Sequence, residues 1–248
     1  MKFVLFFIVA SLSTSVAARS RHVYHATKAF EAGQESEDRQ VHAIRECAVS
    51  RIQSCVYPII ELLKKEGPEN TQLRRESANA LGLLRAPEAR EPMLALLAKE
   101  KDPHTKSAII KSLGMIGNKA DIKTISGYLS DSEAMVRRQA ARALYDLNDK
   151  SASAEAASKI AAEKDDYTRV EMLNTALQHD GGKVEHAIAL SKILLSQDRA
   201  ARLRAAEVMG HYANKETLTD LERAFDVETD SQVRQALHTA IQQTVYNN

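Results

Sequence analysis

His179, Asp180 and His186 are the residues whose types and spacing come nearest to metal chemistry in this chain. Two imidazoles and a carboxylate within eight positions offer a divalent ion three donors. The same stretch also reads as a helix stop, with a histidine near a C-terminal dipole, an Asp-Gly-Gly break, and His186 on the next helix. The stop is the expectation, and a metal or small-ligand site here is kept as a lesser alternative. No phosphate-binding glycine loop, dinucleotide fingerprint, nucleophile elbow or H-E-x-x-H pair occurs. From motifs alone the chain is expected to hold no cofactor, to have no catalytic residue, and not to be an enzyme.

Cys47 and Cys55 are the only two cysteines. On one continuous helix they would stand about 12 Å apart, too far for a bridge. A disulfide therefore requires a helix to end near Cys47 and another to begin near Cys55. The setting favours one, because residues 1–18 read as a secretory leader: Lys2, an apolar run from Phe3 to Ala10, then small residues with Val16 and Ala18 before the cut. The apolar run is shorter than the about 20 residues that a membrane-spanning helix needs. The mature protein is expected to be exported, periplasmic or secreted, with no stable membrane insertion and a lead-in segment over 19–35. Removing Lys2 leaves 33 basic against 33 acidic side chains, so no global charge draws the chain to nucleic acid.

A third candidate is DSEAMVRRQAARAL, residues 131–144, with Arg137, Arg138 and Arg142 close together. A patch made for phosphate would occur once, whereas one made for the fold would recur. The second position of this helix does recur, as Arg74, Lys106, Arg137, Arg169, Arg202 and Arg234, in steps of 32, 31, 32, 33 and 32 residues. Seven residues beyond each lies an apolar side chain, and four before each lies Asn70, Asp102, Glu133, Asp165, Asp198 or Asp230. An oxygen there suits a helix N-cap or first turn. Short polar turns follow each first helix, then a second helix with its own apolar stripe. Neither helix buries that stripe alone, so stacked hairpins must share one core.

The acid followed by V-R-x-x-A-x-x-A-L, seen in Glu133, Val136, Arg137, Ala140, Ala143 and Leu144, resembles the short HEAT-like repeats also found in the phycobilisome-lyase group. The resemblance implies an all-α solenoid of stacked antiparallel hairpins forming a HEAT-like superhelix. It also implies a ladder between the recurring basic residues and the acids Asp102, Glu133, Asp165, Asp198 and Asp230. Hairpins are expected at about 36–66, 70–101, 103–131, 133–164, 166–197 and 199–228, with a capping helix over 231–245. Arg138 and Arg142 do not recur and are expected on a solvated face, near Glu133 and Asp146. Second helices mix charges without stacking aromatics, which disfavours nucleic acid. The expectation is an exported scaffold for another protein, not bilin chemistry, with partner-facing candidates Glu91, Lys99, Lys123, Tyr128, Lys159, Lys192, Asp220 and Arg223. A lyase- or hydrolase-type enzyme with its site in the concave groove is the alternative.

Overall fold

The computed structural model describes residues 36–179 and 183–246. Residues 1–35, where a leader and a lead-in segment are expected, and Asp180 lie outside them. Thirteen α-helices, joined by short 3-10 turns, make up the described residues, and none of these residues forms a strand. The chain is an all-α, HEAT-like solenoid by fold class. It divides into two compact units, one up to Ser112 and one from Leu113.

In the first unit, α1 (Glu37–Val49) and α2 (Val56–Leu63) form one hairpin, and α3 (Thr71–Leu83) and α4 (Arg90–Leu97) the next. The core gathers Ile44, Ile59, Leu63, Leu73, Leu81, Met93 and Leu97, all essentially inaccessible. Cys47 and Cys55 lie on either side of the first turn, their Cα atoms 6.2 Å apart, and are joined there. Helix α5 (Pro103–Ile116) starts behind Asp102, whose Oδ1 accepts the Thr105 amide at 2.8 Å. The Ser112 hydroxyl donates to the Ala78 carbonyl at 2.7 Å. Gly82 permits that approach, because a Cβ there would lie 2.4 Å from Ser112 Oγ.

The second unit continues with α6 (Ile122–Gly127), α7 (Ala134–Leu147), α8 (Lys150–Ala157), α9 (Asp166–Leu177), α10 (Val184–Ser191), α11 (Arg199–Tyr212), α12 (Leu218–Val227) and α13 (Ser231–Tyr246). Its core joins Val170, Leu173, Leu190, Leu194, Leu221 and Leu237. The Thr175 hydroxyl donates to the Ala141 carbonyl at 2.8 Å, repeating the Ser112 bond two hairpins on. First helices end on left-handed residues at Arg51, Arg85, Gly117, Asn148 and Ala213. Such a residue reverses the chain and satisfies helix-end carbonyls.

The ladder differs from expectation. Arg74 Nε donates to Glu100 Oε2 at 2.8 Å, Arg137 Nε to Glu163 Oε2 at 2.7 Å, and Arg202 Nε to Glu228 Oε2 at 2.6 Å. Each glutamate stands 26 residues after its arginine, not four before it. The arginine's other nitrogens donate to carbonyls of the preceding turn, such as Gly67 and Asp131. The glutamate in turn accepts the next two backbone amides, as Glu163 Oε1 does from Lys164 and Asp165. We call this arrangement a clasp.

Of the acids expected in the ladder, Asp102, Asp165, Asp198 and Asp230 accept helix-start amides and act as caps. The Glu133 side chain makes no such cap bond, and its place is taken by Asp131 Oδ1, which accepts the Glu133 amide at 3.0 Å. Arg169 bonds Asp166 and the Glu163 carbonyl, while Arg234 bonds the Phe225 and Glu228 carbonyls. Lys106 and Arg169 have no glutamate 26 positions on, so the full clasp skips alternate hairpins.

Burial raises the Glu163 carboxyl, but the Arg137 guanidinium and two backbone amides outweigh it and hold it below the usual carboxylate range. Glu100 follows the same logic with Arg74. At Glu228 the Arg202 bond is the largest influence and lowers the carboxyl. A carboxyl depressed on folding stabilises above its unfolded pKa of about 4.3 and loses that contribution as pH falls through the folded value. Glu163→Gln should lower thermal stability at pH 7 by roughly 3–5 kcal/mol, the usual cost of breaking a buried pair. The variant's melting temperature should also fall less steeply than wild type below about pH 4.3. An unchanged melting temperature at pH 7, read by circular dichroism, would remove the clasp from the stabilising interactions.

Candidate functional site

The first unit holds a cavity of about 670 Å³ between the end of α2, the start of α3 and the face of α4. Its place follows from the hairpin geometry. The chain leaves α2 at Leu63, crosses Lys64–Asn70 and enters α3 at Thr71, while α4 and residues 98–102 close the other side. Leu63, Pro68, Pro92, Ala95 and Leu96 give it apolar walls. The floor is the Arg74–Glu100 clasp, whose side chains are 9% and 5% accessible. That clasp is already satisfied, so it shapes the cavity without offering a free charge.

The rim is basic. Five cationic side chains line the cavity, Lys64, Lys65, Arg74, Lys99 and Lys101, against three carboxylates, Glu66, Glu100 and Asp102. Lys64 reaches Glu61 at 2.8 Å, Lys65 reaches Gln40 at 3.3 Å, and Lys99 reaches Glu66 at 2.7 Å. The bond from Lys99 holds the Glu66 carboxyl below its usual range. The Lys99–Glu66 pair is solvent-exposed, however, and such pairs contribute little and open readily. The Lys101 ammonium has no partner among the described residues. Cavities of this size with apolar walls and few polar groups are the usual form of small-molecule sites.

The second unit holds a cavity of about 320 Å³ at the matching place, over the Arg137–Glu163 clasp. With Arg74 aligned on Arg137, the wall positions of the first cavity become polar. Leu63, Pro68, Pro92, Ala95 and Leu96 correspond to Ser126, Asp131, Glu155, Ser158 and Lys159. Aligned on Arg202, the third clasp has Ser191, Ser196, Asp220, Arg223 and Ala224 there. Only the first of the three is apolar at all five positions.

Arg138 and Arg142 are not on a solvated face. Arg142 donates to buried Glu171 at 2.7 Å and to the Tyr167 hydroxyl at 2.8 Å, and Arg204 reaches Glu171 at 3.1 Å from the other side. Arg138 lies 4.2 Å over the Tyr167 ring and donates to Asp165 at 3.2 Å. One buried carboxylate thus ties together three first helices, α7, α9 and α11. These arginines are matched by acids and serve the fold.

The metal alternative gains no geometry. His179 Nε2 spends itself on Asn148 Oδ1 at 2.9 Å, and His186 sits on α10. Among the described residues no three potential ligands cluster. The partner-facing candidates are dispersed. Lys99 is on the cavity rim and Lys159 lines the smaller cavity. Asp220 accepts Ser191 Oγ at 2.6 Å and sits beside Arg223. Glu91 pairs with Arg90, and Lys123 and Lys192 are exposed while Tyr128 is half-buried. Leu63, Pro92, Ala95 and Lys101 were missed, although the loss of polarity at the wall positions was readable by aligning alternate repeats. No described helix is long and apolar enough to cross a membrane.

Residues 57–144 match the family of HEAT repeats. Over 139 residues, 56% of this chain, the sequence is 29% identical to a bilin biosynthesis protein, PecE, of Nostoc sp. (strain PCC 7120). The chain spans about half the length of that relative, 48%. In fold it is similar to one chain in the structure of the complex of CpcE and CpcF of phycocyanin lyase from Nostoc sp. PCC7120, with a TM-score of 0.59, 16% identity, and coverage of 88% of this chain and 94% of that one. The expectation of a plain scaffold that is not an enzyme is corrected by this sequence similarity, which runs to a protein of bilin biosynthesis and favours the lyase alternative. The chain is an all-α protein of HEAT-like repeats, similar in sequence to a bilin biosynthesis protein and in fold to a chain of the phycocyanin-lyase structure.

Proposed function

We propose that the chain is a lyase-type enzyme or lyase component acting on a bilin-class substrate together with a second protein. The observation that carries this reading is the 29% identity over 139 residues to the bilin biosynthesis protein PecE. The fold likeness to CpcE and CpcF supports a protein partner, since those two were solved as a complex. The cavity of the first unit adds a place of suitable size and character. Its apolar walls would exclude water from a conjugated molecule, and its lysines would orient carboxylates. Holding a reactive substrate dry and aligned is a large part of what such an enzyme supplies.

The test incubates the full chain with a linear tetrapyrrole and phycocyanin-type subunits lacking chromophore. Chromophore that stays with the subunit through a denaturing gel should form about tenfold faster than without the chain, the equivalent of about 1.4 kcal/mol of barrier. Equal rates with and without the chain, across subunits and with a second lyase component added, would overturn the reading.

Export is proposed separately. Its support is the basic, apolar and small-residue order of residues 1–18 and the bridge between Cys47 and Cys55, which suits an oxidising compartment. Protein purified from its host should begin near Arg19 and take up no alkylating reagent until reduced. An intact Met1 with two alkylated cysteines by mass spectrometry would defeat this proposal.

A further inference from the structure

We infer that the first unit's cavity is a binding site for an elongated, conjugated apolar molecule with carboxylate arms, a linear tetrapyrrole, received by the ammonium groups of Lys99 and Lys101. The chemical class rests on the lyase-type reading, while the site itself rests on three observations. The volume of about 670 Å³ falls within the roughly 300–1,000 Å³ of small-molecule pockets. The walls are apolar at five positions whose aligned equivalents around the Arg137–Glu163 clasp are all polar, two of them, Asp131 and Lys159, lining the second unit's cavity. Finally, basic exceeds acidic lining by five side chains to three, with Lys101 unpartnered among the described residues and Lys99 held only by an exposed pair.

Arg74–Glu100 and Arg137–Glu163 build the same clasp on the same scaffold, so the fold imposes the same demands around both. Those demands are met around Arg137 with Ser126, Asp131, Glu155, Ser158 and Lys159. An apolar wall is therefore no requirement of the clasp. At the first cavity Pro68 and Ala95 remain exposed, where folding alone gains nothing from apolar character. A ligand that covers them would remove that surface from water and gain by it. The cations fit the other half of such a ligand. Lys99 and Lys101 follow α4 two residues apart on the same short segment, and two carboxylate arms would match them. Charge-assisted bonds of this kind are among the stronger polar contacts.

The test titrates the full chain with biliverdin, a linear tetrapyrrole with two carboxylates, and follows the circular dichroism induced in the pigment. Ala95→Glu places bulk and negative charge on an exposed wall position and spares the core. It should weaken binding at least about tenfold without moving the melting temperature, since a misplaced charge at a contact is worth more than about 1.4 kcal/mol. Lys99→Ala with Lys101→Ala should weaken it about tenfold or more, whereas biliverdin dimethyl ester should bind wild type and this variant alike. Ser158→Glu, at the equivalent position of the second unit, should leave binding unchanged. Wild-type affinity in Ala95→Glu, or an equal loss in Ser158→Glu, would overturn the site.

The two proposals fail separately. If Ala95→Glu abolishes binding while no subunit ever acquires chromophore, the site stands and the lyase reading falls. If chromophore transfer proceeds at wild-type rate in Ala95→Glu, the lyase reading stands and the site falls.

Discussion

A helical hairpin solenoid meets its hardest local problem between hairpins, where one helix ends and the next begins within a few residues. Up to four carbonyls at one end and four amides at the other are left without helical partners. The arginine–glutamate clasp answers both at once. Arg137 donates to the Asp131 and Ser132 carbonyls, Glu163 accepts the Lys164 and Asp165 amides, and the two side chains bond each other. Because both ions are largely buried, each depends on the other for its solvation. The clasp thus fixes the turn, the register of neighbouring hairpins and the floor of each cavity.

The clasp recurs at every second hairpin, and hydroxyl groups mark the hairpins between. Thr105 and Ser112 on α5 donate to the Thr71 and Ala78 carbonyls, and Thr168 and Thr175 on α9 donate to Ala134 and Ala141. First helices approach closely where these small polar side chains stand, so a backbone carbonyl of one helix is satisfied by its neighbour. The true structural period is therefore a pair of hairpins, and the step between successive basic residues is half of it.

That distinction separates what was legible in the sequence from what was not. The helices, their hairpin order and the recurring basic residue follow from apolar spacing, which is a local signal. The capping role of Asp102 and Asp165 also follows, because a cap acts within three residues of its own position. The partner of Arg137 does not, since it stands 26 residues away and only stacking brings it near. Averaging all six registers blurred it further, for Lys106 and Arg169 lack the glutamate. Arg142 was misjudged for a similar reason. Its acid, Glu171, belongs to the next hairpin, and within its own helix it looked like a solvated charge. The two cysteines were a simpler case, because helical rise alone forbids their bridging across one helix and places a turn between them.

Function lay further from view because motif searches look for reactive residues at short spacing, and nothing of that kind is present here. What the chain offers instead is a difference between equivalent positions. Repeats supply their own control, since each clasp states what the scaffold requires at that place. Leu96 and Lys159 occupy the same phase over equivalent ion pairs, yet only one gives a cavity an apolar wall. A lysine at that phase is compatible with the fold, but Leu96 is itself buried, so the contrast is sharper at the exposed Ala95 and Pro68. The same reasoning applies to Pro92 against Glu155 and to Ala95 against Ser158. In a protein built this way, positions where the repeats agree report stability, and positions where they disagree report use.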